Sequence, residues 1–377
     1  MHLFASLHPV LFVLSSKGST TTTTTKNKTT TELRSSSSFF ETIGEKLDQS
    51  RYDALLEWIR EREGSELHPS LQLRPSTLGD GYGAFVSKAV EPGELLFAIP
   101  RSACVTLEDG TKDSDCGPTY RKLMEKAGPG GNTVVLAGFL ATERLRSLEY
   151  SKQMEEKGES TCANSSFGPY LDTLPWERGV NNQEHILFWE KDDVDNLLSG
   201  TMGFAEATAL RDEVDLACTV LDGIVGKTVR TFRGESTGDS GFKWPWEVTI
   251  ENTTPAGPVK GLEQAVKGAF VSILTRAFED GEEDEEKLVP ILDLLQHSEE
   301  PNISHVMRKE DGRVEVRARR ALAPDEELLN QYRSELEETM PYHRFFTRFG
   351  FVPGIQEPIP NLLRDKSSIF FAQKAEV

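Results

Sequence analysis

The chain has 377 residues, 37% hydrophobic and 27% charged, long enough to bury a sizeable core without disulfides. Its 61 acidic against 42 basic residues leave a formal charge of -19, which repels a polyanion and argues against direct nucleic-acid binding. The four cysteines, Cys104, Cys116, Cys162 and Cys218, form no CxxC pair, so zinc-knuckle, thioredoxin-like and iron–sulfur chemistry give way to reduced, partly buried thiols.

In chain order, residues 1–40 stand apart: an apolar stretch at 3–14 precedes a run of Ser, Thr and Lys from 15 to 38. The apolar part falls short of the ~20 residues that cross a bilayer, so no stable membrane span is expected. Two readings stay open, a targeting segment and disordered low-complexity sequence. Targeting would place the protein in a plastid or mitochondrion; otherwise the core is expected in the cytoplasm. Sequons begin at Asn27, Asn164, Asn252 and Asn302, triplets that also arise by chance. In the lead-in 41–70, apolar Leu55, Leu56, Trp58 and Ile59 predict a short helix packed on the main body.

The pattern changes at Leu71. Residues 79–86 read as a Gly-rich turn entering a strand, and 95–99 as a second strand ending at Pro100, with Glu91, Pro92, Gly93 and Glu94 turning between them. Strand, turn, strand is not strand, phosphate loop, helix, and the glycines match neither a Walker sequence nor a dinucleotide fingerprint. Residues 134–148 and 206–224 carry apolar side chains at helical spacing, while 151–165 and 234–241 read as exposed loops. Residues 260–278 predict a long amphipathic helix or helix pair, and the acidic run 279–286 a solvated loop, since it lacks spaced calcium ligands. Strands return where Val314, Val316 and Ala318 alternate with Glu315, Arg317 and Arg319; Pro324, Asp325 and Glu326 then turn into residues 328–332. Periodicity alone stops at an α+β globular enzyme or binding domain.

Several local sequences point further: Gly81, Tyr82, Gly83 and Ala84; Gly93 and Glu94 before Ile99 and Pro100; Pro169, Tyr170 and Leu171 before Leu174 and Pro175. They continue through Thr275, Arg276, Ala277 and Phe278, then residues 289–297 and 330–332, and close with Phe349, Gly350, Phe351 and Val352. In this order, over roughly residues 71–353, they resemble the SET-domain protein methyltransferases, in the branch similar to Rubisco large-subunit lysine methyltransferase. The resemblance implies an α+β SET fold of short strands, with a helical insertion at approximately 125–262, a C-terminal pseudo-knot and a short tail, 354–377. It implies S-adenosylmethionine as cofactor, with Gly81, Tyr82 and Gly83 where the backbone approaches it and Arg276, Asp293, Gln296 and His297 as further binding residues. Tyr332 takes the place of the active-site tyrosine, and Phe349 that of a second aromatic beside the substrate lysine. No metal is implied: His305 and His343 complete no ligand set and are expected in loop or packing roles. Gln296 stands where the family usually has Asn, Arg333 follows the tyrosine where a small or acidic residue is common, and Phe349 lacks a hydroxyl.

The expected activity is N-methylation of a protein lysine, on a nonhistone substrate because the cysteines of a post-SET segment are missing. Tyr332 is expected to orient the amine rather than act as a strong base. Two alternatives stay open: an inactive SET-derived binding module, and transfer to histidine or an N-terminal amine. A monomer is the default expectation.

Overall fold

The computed structural model describes residues 38–78, 81–128, 130–179, 183–235, 258–280, 285–332 and 340–352. Most of the N-terminal segment, the 234–241 loop beyond Glu235, the middle of the acidic run, Arg333 and the tail lie outside the described residues.

Helix α1 (Ser38–Arg60) leads into β1 (Glu66–Leu67), β2 (Leu71–Pro75), β3 (Tyr82–Val86), β4 (Leu95–Ile99) and β5 (Val105–Thr106). A helical stretch follows: α2 (Leu107–Lys112), α3 (Gly117–Ala127), α4 (Gly130–Lys157), α5 (Gly168–Leu171), α6 (Lys191–Leu198), α7 (Gly203–Phe232) and α8 (Leu262–Arg276). The chain then returns to short strands, β6 (Ala277–Asp280), β7 (Glu285–Leu288), β8 (Gln296–His297), β9 (Ile303–Met307), β10 (Val314–Ala318), β11 (Glu326–Glu327) and β12 (Leu329–Asn330), before α9 (Tyr342–Phe349). This mixture of helices and short strands is the α+β class expected.

Local chemistry explains several boundaries. The unbroken apolar runs of β3 and β4 are buried on both faces, whereas β10 alternates between buried and more exposed positions, as its sequence does. Helix α2 starts on a capping box, with Thr106 N–H donating to Asp109 Oδ2 at 2.9 Å. Helix α9 stops at Gly350, whose φ of 84° is open to glycine at little steric cost.

The strands form small sheets in the orders β1-β4-β10-β9, β11-β3-β2, β12-β8 and β5-β7-β6. In the first, Val314 pairs with Ile99 and Val316 with Phe97, placing apolar side chains together on the core face. The β12–β8 pair is parallel, Leu329 opposite Gln296 and Asn330 opposite His297, and so brings segments more than thirty residues apart into register. Helices α4 and α8 pack closely against each other; on α8, a Cβ at Gly268 would lie 2.8 Å from Trp176 Cα, so only glycine permits that approach. Among the described residues no helix is long and apolar enough to cross a membrane.

Two expectations need correction. Residues 151–157 are not loop but the last turns of α4, and Gln153 is buried, its carbonyl oxygen accepting from Ser160 Oγ at 3.0 Å and Thr161 N–H at 2.9 Å. Polar helix-formers carry no apolar periodicity, and the signal ended before the helix did. Nor is the acidic run all loop. Its ends pair across β6 and β7, Glu279 opposite Glu286 and Asp280 opposite Glu285, extending the ladder that Ala277–Leu288 and Phe278–Lys287 begin.

Candidate active site

The chain leaves β7 through a sharp turn at Ile291, a fully buried residue with φ 69° and ψ −49°. A β-branched residue in this region costs about 1–3 kcal/mol, so the surrounding packing must enforce it. The turn, closed by Asp293 N–H donating to Val289 O at 3.1 Å, drives the Asp293 side chain inward.

There Tyr170 Oη, from α5, donates to Asp293 Oδ2 at 2.8 Å, and Arg276 Nη1, from the end of α8, lies 3.5 Å from the same oxygen. The Asp293 side chain is 0% exposed and that of Arg276 13%. Burial pushes the Asp293 carboxyl up from its ordinary value while Arg276 pulls it down. Even so, Asp293 Oδ1, Arg276 Nη1 and the nearby strand's Asn330 Nδ2 are buried without a hydrogen-bond partner. Buried polar atoms rarely remain so, which marks this as a place built to meet another polar group.

Three residues downstream, Gln296 Nε2 donates to Tyr82 O at 3.1 Å. The longer amide that replaces Asn therefore spans the gap to β3. Tyr82 stacks on Tyr52 of α1, with ring centroids 3.8 Å apart and planes 14° from parallel. Gly81 enters β3 with a φ of 101°, and the space beside Gly83 is filled by the Glu327 carboxyl group.

Tyr332 closes the arrangement. Its hydroxyl donates to Leu295 O at 2.8 Å, and its N–H donates to His297 Nδ1 at 3.1 Å, which places the ring proton of a neutral imidazole on Nε2. Burial pushes the Tyr332 hydroxyl up to about 12, against the pull of Arg276. Around it stand aromatic rings: Phe349 at 5.4 Å, His297 at 5.3 Å and Phe351 at 6.3 Å, with Phe345 of α9 4.6 Å from Phe349.

The sequence-predicted residues thus fall into one connected group: Arg276 with Asp293, Gln296 with the Gly81–Tyr82–Gly83 strand, and His297 with Tyr332 and Phe349. Arg276 is no surface ion pair and Asp293 no simple helix cap. His305 packs edge-on to Phe278 at 5.5 Å, and His343 sits 3.7 Å from a Glu206 carboxyl oxygen. Sequence reasoning assigned no role to Tyr170, Phe345 or Phe351, although Tyr170 and Phe351 lay inside the quoted motifs. It had no signal for Tyr52, whose partner is thirty residues away. Asn302 is not an available sequon in the folded chain: fully buried, it donates to Glu327 O at 2.8 Å and accepts from Leu329 N–H at 2.7 Å.

Comparison with known proteins gives a consistent picture. A SET domain family profile matches residues 81–333. The N-lysine methyltransferase SETD6 of Rattus norvegicus is 29% identical over 164 residues, covering 44% of this chain and 29% of that protein. The Mus musculus protein of the same name is 30% identical over 156 residues, covering 40% and 27%. This chain therefore aligns with less than a third of the length of either relative. Among solved structures, the SET domain of LSMT bound to lysine and AdoHcy superposes with a TM-score of 0.55 at 14% identity, covering 80% of this chain and 57% of that one. Rubisco LSMT bound to AdoMet gives the same TM-score and identity, covering 81% and 57%. At that identity the likeness establishes the fold.

Proposed function

This chain belongs to the SET-domain family, and from that premise we propose that it is an S-adenosylmethionine-dependent protein-lysine N-methyltransferase acting on a nonhistone protein. The observation that carries the reading is the buried Arg276–Asp293 pair, with hydrogen-bonding capacity to spare, Asp293 standing four residues before His297, whose ring lies 5.3 Å from that of Tyr332.

The residues present fit the cofactor. A cationic donor and an anionic acceptor side by side match the amino-acid end of S-adenosylmethionine, a carboxylate for Arg276 and an ammonium for Asp293. Gly81–Tyr82–Gly83 and the Gln296–His297 pair would flank the rest. When bound, the cofactor supplies a methyl group already activated by a sulfonium, so the protein's work is alignment.

The acceptor needs a neutral amine, whereas lysine in water has a pKa of about 10.4. Phe345, Phe349 and Phe351 form apolar walls that exclude water and disfavour the ammonium form. Tyr332 keeps its proton, because burial holds its hydroxyl at about 12; it orients the amine together with Leu295 O rather than removing a proton. The lysine choice is supported by the names of the relatives and by the lysine-bound neighbour. The nonhistone choice rests on the scattered cysteines, of which Cys104, Cys116 and Cys162 are buried singly.

The test is transfer of labelled methyl from S-adenosylmethionine into proteins of a matching cell extract, comparing wild type with Tyr332→Phe and locating the label by mass spectrometry. Label on lysine, reduced about 100-fold or more in the variant, is expected. Absence of transfer by a folded, cofactor-binding wild type would overturn the activity and favour a binding module. Label on histidine or an N-terminal amine would overturn the choice of acceptor.

A further inference from the structure

We propose that Glu327 is a positioning residue that holds the base of the turn between β2 and β3 against the chain segment leading to Tyr332, and thereby sets cofactor affinity. This rests on the cofactor reading above. Glu327 and Glu326 are adjacent in β11, but their surroundings differ. Glu326 is half-buried and accepts from Arg320, Ala323 N–H and Asn302 Nδ2, whereas Glu327 is 6% exposed and turns inward over Gly83.

Its carboxylate gathers the base of the turn. Ser76 Oγ donates to Oε1 at 2.6 Å, while Thr77 N–H and Oγ1 donate to Oε2 at 2.9 and 2.6 Å. The same turn is closed by Ser76 N–H donating to Gly81 O at 2.9 Å. A Cβ at position 83 would fall inside contact distance of Oε1, so the glycine there makes room for this carboxylate as well as for any ligand. The main chain of Glu327 is held too: its carbonyl accepts from Asn302 Nδ2 at 2.8 Å, and the next N–H, of Leu328, donates to Ala84 O at 2.7 Å. One residue thus joins the base of the turn leading to Gly81–Gly83, the buried Asn302 and the chain segment that reaches Tyr332 five residues on. Glu327 makes its side-chain hydrogen bonds to Ser76 and Thr77 and none to the aromatic rings. Its charge adds to the upward push on the Tyr332 hydroxyl, but what its bonds hold in place is the turn, so its effect on affinity belongs to cofactor placement.

The experiment compares the full chain with Glu327→Ala, Glu327→Gln and the double variant Ser76→Ala/Thr77→Val, which removes two of the three bonds from the other side. Binding of S-adenosylmethionine is read by calorimetry, folding by thermal unfolding, and the turn by hydrogen exchange of the Thr77 amide. Loss of charge-assisted hydrogen bonds is expected to weaken cofactor binding about tenfold in Glu327→Ala and in the double variant, with Glu327→Gln recovering most of it. KM for S-adenosylmethionine should rise while kcat at saturating cofactor and KM for the acceptor stay unchanged, and Thr77 should exchange faster. Wild-type affinity in the double variant, or kcat falling in step with thermal stability, would overturn the proposal in favour of a merely structural carboxylate. If wild type itself binds no S-adenosylmethionine, the cofactor reading fails and the proposed effect on affinity fails with it; the exchange rate of Thr77 then still shows whether the clasp exists.

Discussion

Burial pushes the Glu286 carboxyl up to about 7 from its ordinary 4.5, against the hydroxyl of Thr133, which donates to Oε2 at 2.9 Å. The folded value lies above the unfolded one, so the stabilising contribution is present below 4.5 and lost as pH rises through about 7. Glu286→Gln keeps the shape and an acceptor for Thr133. It is expected to stabilise the protein by about 1–2 kcal/mol near pH 8 and to change little near pH 5, measured by urea unfolding at both. The sequence placed Glu286 in a solvated acidic run, because charge alone does not reveal which carboxylate a neighbouring helix covers. The sequence placed Asp293 and Arg276 in successive motif segments as expected cofactor-binding residues, but their pairing, burial and unused hydrogen-bonding atoms belong to the assembled fold.

Elements meet at the site from distant parts of the chain. The short helix α5 contributes Tyr170, and α1 contributes Tyr52 to the stack on Tyr82 while Trp58 Nε1 donates to Ser166 O at 3.1 Å. Removing the Tyr170 hydroxyl leaves the buried Asp293 carboxyl without that donor, at a cost of about 1–3 kcal/mol. Tyr170→Phe should therefore lower the urea midpoint and weaken S-adenosylmethionine binding measured by calorimetry; unchanged values of both would show that the bond contributes nothing. The helical pattern of residues 55–59 was legible because apolar side chains recur at the right spacing. What α1 packs against was not, since periodicity reports a buried face and not its partner.

For the molecule as a whole, several buried tyrosines are expected to contribute to an alkaline limit, alongside the buried thiols of Cys104 and Cys116, which burial also pushes up. Burial pushes the hydroxyls of Tyr52 and Tyr332 up to about 12 and that of Tyr170 well above its ordinary 10.0. Each favours the protonated folded chain, so this stability is fully present below pH 10.0 and lost as pH rises through about 12. Thermal unfolding followed across that window should show a steep fall, lessened in Tyr52→Phe. An identical fall in wild type and variant would place the alkaline limit elsewhere. The same ionisations carry no weight at neutral pH, where Tyr332 remains a donor.

The sequence by itself determined the α+β class, the order of strand, helix and strand regions, and the motif residues that meet at the site, because turn chemistry, apolar period and family-specific spacing are all local properties of the chain. It also marked Gln296 as a departure without saying whether the longer side chain would fit. Only the tertiary structure decided that it reaches Tyr82 O, that Asn302 is a buried tie rather than a sequon, and that Glu327 rather than Glu326 faces inward. Each of these depends on which segments lie side by side, as β12 does with β8 and β11 with β3, and such pairings join residues that no local pattern connects.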